Sequence, residues 1–185
     1  MILTIAGTPG SGKTSAAKEL AKRLNMKFYS MGDFLEKVAA EKNQTIDELI
    51  SGDDEADHRV DAYQKKLGET EDNMIVEGRI SWFFMPKSFK ILVTCEENEA
   101  AGRTVQDKKR GNRPDEPEYA SLDDAKKINA ERVARFSEKF KRLYGIENYY
   151  DPSHYDFILD TTNATGPVQN ADSIMAAMKE KGLIK

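Results

Sequence analysis

Short apolar runs alternate along the chain with stretches whose apolar positions recur every three or four residues. Ile2 to Ala6 is β-branched-rich and ends at glycines, so it reads as a buried central strand. From Thr14 to Leu24, residues Ala16, Ala17, Leu20, Ala21 and Leu24 give a helix with one apolar face and a lysine-rich outer face. Phe28 to Ser30 predicts a second strand, broken by Gly32 before Phe34, Leu35, Val38 and Ala39 resume helical spacing. Thr45 and Glu48 have capping-box spacing ahead of Leu49 and Ile50, and a further helix is expected from Asp53 to a stop at Gly68. Met74 to Glu77 and Phe89 to Cys95 read as strands, separated by the aromatic segment Trp82, Phe83, Phe84. A helix after Asn98 runs to about Lys109. The glycine and prolines at 111, 114 and 117 then predict a flexible loop over 110–120 until Ser121, with Asp124, caps a long helix. On it Ile128, Val133, Phe136, Phe140 and Leu143 share a stripe edged by Arg132, Arg135 and Lys139, the border expected of a cleft. Phe157 to Asp160 is a fifth strand, and Pro167 and Gly182 frame a closing helix. Strands alternating with helices predict an α/β fold, its parallel sheet carrying binding loops at the strand C-termini.

The 185 residues suit one domain, 1–185, with no internal repeat or linker. A net charge of −4 disfavours a globally basic nucleic-acid binder or a polybasic membrane-surface protein. The single cysteine, Cys95, with only His58 and His154 beside it, gives neither a disulfide nor a zinc site. No apolar run approaches a membrane span, and the start has no signal-like segment, so a cytoplasmic protein without a membrane partner is expected.

One motif carries chemistry. Gly7, Thr8, Pro9, Gly10, Ser11, Gly12, Lys13 and Thr14 match G-x-x-x-x-G-K-[ST] between a predicted strand and a predicted helix. Glycines allow close backbone approach, successive N–H groups face phosphate oxygens, and the helix adds its positive end. Lys13 then reaches the β and γ phosphates, and Thr14 is a ligand of Mg²⁺. ATP or GTP is bound. No glycine has an aspartate three positions before it and no asparagine precedes a lysine, which disfavours a GTPase switch. Ring motors and transporter ATPases need longer domains, so a small-molecule kinase is left.

Ser30, Met31, Gly32, Asp33, Phe34 and Leu35, at the end of the second strand, resemble the monophosphate-binding turn of adenylate and cytidylate kinases. Glu77, Gly78 and Arg79 fit the same nucleoside-monophosphate kinase family, and with Asp57, Asp61 and Gln64 they most resemble the compact archaeal-type cytidylate kinases. Arg132, Arg135, Tyr144, Gly145 and the segment Tyr155, Asp156 to Thr161 complete the likeness. It implies a P-loop NTPase three-layer α/β/α fold with a five-stranded parallel sheet, an acceptor-binding helical region over 31–73 and a lid at 110–120. It also implies transfer from ATP, with Mg²⁺, to CMP or dCMP. Adenylate kinase, a kinase of a small non-nucleotide metabolite and a non-catalytic ATP-dependent switch are the alternatives, and a monomer is expected. By position, Arg79 would hold the acceptor phosphate. Arg103, Arg132 and Arg135 would surround the moving phosphoryl, Arg110 would act from the lid, and Asp33 would act near Mg²⁺ through water. Ser30, Gly32, Arg59, Asp61, Gln64 and Gly78 would complete the acceptor side. Taken singly, Asp57, Asp61 and Gln64 at i, i+4 and i+7 read as a water-facing helix surface, Trp82 to Phe84 as core, and Cys95 as an inert buried thiol. One position departs from the family: Glu36 stands where an arginine is usual, so either Arg59 or Lys37 substitutes or the acceptor is something other than a standard monophosphate.

Overall fold

The structure, a computed structural model of the chain, describes residues 1–45, 48–49, 54–111 and 118–185. The expected loop 110–120 lies largely outside the described residues, as does the segment between Leu49 and Asp54.

Strands β1 (Ile2–Gly7), β2 (Lys27–Ser30), β3 (Met74–Glu77), β4 (Phe89–Thr94) and β5 (Phe157–Asp160) form one five-stranded parallel sheet in the order β2-β3-β1-β4-β5. Register places Ile5 opposite Glu77 and Gly7 opposite Val93, so the sequence after β1 emerges at the C-terminal edge between two neighbouring strand ends. Ligands of open parallel sheets bind at such an edge. The strands read as continuous apolar runs because both faces are covered. Leu3, Ile5, Ile75, Ile91 and Val93 pack with Ala17 and Leu20 of α1 (Lys13–Leu24), and with Ile174 and Met178 of the last helix, Pro167–Glu180. The alternate positions Met74 and Val76 meet Met31, Leu67 and Met85 on the other face.

Helix α2 (Met31–Glu41) starts one residue after β2: Ser30 is its N-cap and accepts from the Asp33 N–H at 3.2 Å. Gly32 therefore sits inside the first turn and does not break the chain there, because a capping serine ends the strand and begins the helix in a single step. Helix α3 (Glu55–Thr70) passes through Gly68 and ends two residues later. Gly68 is exposed and has no left-handed backbone, so it costs helix propensity without stopping the helix. The aromatic segment forms a short helix α4 (Ser81–Phe84). Helix α5 (Glu97–Lys109) begins slightly earlier than expected because Glu96 caps it, accepting from the N–H groups of Asn98 and Glu99. Helix α6 (Leu122–Tyr144) has the expected Ser121 cap and ends at Gly145 in the left-handed conformation. A 3₁₀ turn (Pro152–His154) precedes β5, and α7 (Pro167–Glu180) closes the described fold. Among the described residues, no helix is long and apolar enough to cross a membrane.

A second apolar cluster lies between α4, α6 and the turn after α6. Ile80, Trp82, Phe136, Phe140, Ile146 and Tyr149 are its buried members, with Tyr150 and Tyr155 packed against it. Trp82 stacks on His154 at 4.1 Å between ring centroids, so this tryptophan is core.

Candidate active site

The loop from Gly7 to Lys13 leaves β1 and enters α1 with two left-handed glycines, Gly10 at φ 73° and Gly12 at φ 75°. A Cβ on Gly7 would stand 2.6 Å from the Val93 carbonyl oxygen, and one on Gly10 would collide with the backbone of Ala100. No larger residue fits either place. Among the described residues, the buried hydroxyls of Thr8 and Ser11 have no hydrogen-bond partner. Orphaned donors on a glycine loop at a helix N-terminus are the condition in which an anion is bound.

The loop is braced from outside. Tyr150, pressed against Tyr149, donates its hydroxyl to the Gly7 carbonyl at 2.9 Å, and burial holds its pKa well above the ordinary tyrosine value. Thr161 Oγ1 lies 2.9 Å from the Ser11 carbonyl and equally close to that of Thr94. Arg103 bonds the Thr161 carbonyl at 2.8 Å and the Thr162 carbonyl at 3.3 Å, while its Nε bonds Glu99. Most donors of Arg103 are thus committed to the segment that backs the phosphate loop.

Glu77 ends β3 fully within the protein. Its carboxylate accepts from Ser30 Oγ at 3.1 Å, and its other oxygen stands 3.8 Å from the Lys13 ammonium. One carboxylate therefore joins the loop lysine to the turn that opens α2. Glu77 is the residue that the reading of single sites left without a role. Its signal was an acid at a strand C-terminus immediately before Gly-Arg. Gly78 follows, its N–H bonded to the Ile5 carbonyl at 3.0 Å, and a Cβ there would collide with Ser81 and Met31. The chain can then turn Arg79 away from the sheet.

The Arg79 guanidinium lies over the Phe136 ring, 3.8 Å from its centroid. Desolvation, and then the like charge of Arg132, push its pKa below the ordinary arginine value. Arg135, one residue before Phe136, also faces that ring at 5.9 Å. The structure so brings Arg79, Arg132 and Arg135 together. The third member of the expected basic edge, Lys139, is instead buried in an ion pair with Asp57 at 2.5 Å.

Helix α3 does not turn Asp57, Asp61 and Gln64 to water. Asp61 meets the Tyr144 hydroxyl, and Gln64 Oε1 accepts from Ser81 Oγ at 2.6 Å. Asp54, just before the helix, takes a bidentate pair from Arg142 with both contacts at 2.7 Å. Helix spacing gave their common face, but that α6 covers it follows only from the tertiary fold. Burial raises the Asp61 pKa, against the Tyr144 hydrogen bond that lowers it. Arg59 is paired with Glu41 at 2.7 Å at the far end of α2, while Glu36 and Lys37 are exposed on that helix. Asp33 is exposed in the first turn of α2, Thr14 is half-buried in that of α1, and Arg110 is exposed just beyond α5. Cys95 is half-buried just past β4.

A family model described as an AAA domain matches residues 3–145. A cytidylate kinase of Methanosphaera stadtmanae is 32% identical over 87% of this chain and 88% of its own. One from Methanocella arvoryzae is 33% identical over 88% of both chains. The chain belongs to the family of P-loop nucleoside-monophosphate kinases. Kinase architecture extends to more distant structures, at identities that show the fold alone. A shikimate kinase from Acinetobacter baumannii superimposes at TM-score 0.63, with 13% identity over 99% of this chain and 95% of that one. An uncharacterized protein from Eubacterium ventriosum does so at 0.69, with 16% identity over 97% and 98%. In this nucleoside-monophosphate kinase the loop, the arginine group and Glu77 occupy one end of the sheet, where a phosphoryl donor and an acceptor anion can meet.

Proposed function

We propose that the protein transfers the γ-phosphoryl group of ATP to CMP or dCMP, releasing ADP and the nucleoside diphosphate. The observation that carries the reading is Arg79. It is a guanidinium desolvated beside Arg132 that, among the described residues, has no ion-pair or hydrogen-bond partner of its own. Such a cation, with its donors unused, is suited to receive an anion. The Gly7 to Thr14 loop supports a triphosphate on one side, and Arg79 supports the acceptor phosphate on the other. The choice of cytosine is supported by the two archaeal relatives named above.

The acceptor phosphate oxygen attacks the γ phosphorus in line as the bond to the β-phosphate oxygen breaks, and no enzyme nucleophile intervenes. Lys13 and the loop N–H groups neutralise the donor, while Arg132 and Arg135 compensate charge on the equatorial oxygens. Arg103 frames the donor side through the Thr161 segment, and Arg110 acts from the lid. Ser30, Gly32, Asp33, Gly78 and the Asp61–Gln64 face shape the acceptor side, with Arg59 at its periphery.

The unsatisfied loop hydroxyls and the Thr14 side chain fit a magnesium triphosphate. Mg²⁺, when bound, would withdraw negative charge from the phosphates. Thr14 would hold it directly and Glu77 and Asp33 through water. Among the described residues no cluster of three acidic, histidine or cysteine side chains could hold a metal alone, so the phosphates would supply most ligands.

The reading is tested by steady-state kinetics of Arg79→Ala. The KM for CMP is expected to rise about 10²-fold or more, with the KM for ATP little changed. Equal loss for both substrates would contradict the placement of Arg79 on the acceptor side.

A further inference from the structure

Arg79 is held without a carboxylate. A guanidinium removed from water ordinarily meets one, and a bidentate carboxylate occupies two of its five N–H donors and cancels its charge. Here the nearest support is the face of Phe136, 3.8 Å away. A ring face attracts the cation through its quadrupole and takes up no donor. The ring is itself fixed. Phe136 is 4% exposed, packs on Phe140 at 5.6 Å between centroids, and belongs to the cluster with Trp82 and Tyr149. Arg135 approaches the same ring from the neighbouring position, and Arg132 stands one turn earlier on α6.

We propose that Phe136 is a positioning residue for the acceptor. Its ring fixes the Arg79 guanidinium in place with all donors available, so that the incoming phosphate displaces no protein anion. The inference rests on the reading of Arg79 as the acceptor-phosphate clamp. It adds that the clamp is pre-formed by an aromatic face on α6, the helix that also carries Arg132 and Arg135.

The test weakens the ring's quadrupole at nearly constant size by placing 4-fluoro-, 3,5-difluoro- and 3,4,5-trifluorophenylalanine at position 136 of the full chain. The KM for CMP is expected to climb with each step, to about tenfold for the trifluoro ring, while kcat and the KM for ATP stay within about twofold. Phe136→Leu should raise the KM for CMP in the same sense. Phe157→Leu, which removes a ring of β5 that packs against the other apolar cluster, should leave it unchanged. An active wild type whose KM for CMP is flat across the fluorinated series would overturn the inference alone. So would a parallel rise in both KM values, the mark of general loosening. A wild type silent on every nucleoside monophosphate would overturn the underlying reading and the inference with it.

Discussion

Gly10 shows how little freedom the glycine loop leaves a single residue. Its backbone is left-handed at φ 73°, and a side chain would enter the backbone of Ala100. Gly10→Ala combines a strained conformation with a backbone clash, so a loss of about 2 kcal/mol or more is expected in denaturant unfolding, together with lost ATP binding. Tyr150 acts on the same loop from behind. Tyr150→Phe leaves the Gly7 carbonyl without its donor, at a cost of about 1–3 kcal/mol, and should raise the KM for ATP more than the KM for CMP. These two residues differ in how visible they are in sequence. The glycine announces itself through the motif, whereas Tyr150 meets Gly7 across 143 positions of chain and no local pattern reports that contact.

Between elements, the strands were legible because a parallel sheet buried on both faces demands continuous β-branched and aliphatic runs, and Met74–Glu77 and Phe157–Asp160 have the expected bounds. The α3–α6 contact was not legible. Asp57, Asp61 and Gln64 have the spacing of one helix face, and spacing cannot say whether water or another helix lies opposite. The answer is α6, through Lys139, Arg142 and Tyr144. Lys139→Met would strand the half-buried Asp57 carboxylate and is expected to destabilise the fold by about 3 kcal/mol in the same denaturant assay. Asp61 makes a pH prediction with the opposite sign to an ordinary ion-paired carboxylate. Its folded pKa is raised, so the folded chain binds the extra proton between the unfolded value, about 3.9, and the folded one. Stability from this group is therefore full below that window and is lost as pH rises through it. Asp61→Asn should gain thermal stability over the wild type at neutral pH, and the gain should disappear as pH falls below about 4. A difference that does not vary with pH would show that Asp61 is not desolvated as described.

Over the whole molecule, a net charge of −4 hides a locally cationic site. Lys13 from the first loop, Arg79 from the edge of β3, and Arg132 and Arg135 from α6 converge at the C-terminal end of one sheet, although they are spread over more than half the chain. The glycine loop was readable as a contiguous motif. The group of Arg79, Arg132 and Arg135 was readable only as short fragments, because its charges come together through strand order and helix packing. That same packing turned Lys139 inward and committed Arg103 to Glu99 and the Thr161–Thr162 segment. The most direct test of the account is ADP formation from Mg·ATP with CMP, dCMP, UMP, AMP and GMP offered separately, beside a reaction without acceptor and the Lys13→Ala variant. The account predicts turnover stimulated by CMP or dCMP far above the other bases and the acceptor-free rate, with Lys13→Ala folded and at least about 10²-fold slower. ADP release that no monophosphate stimulates, from a protein that binds ATP, would contradict it.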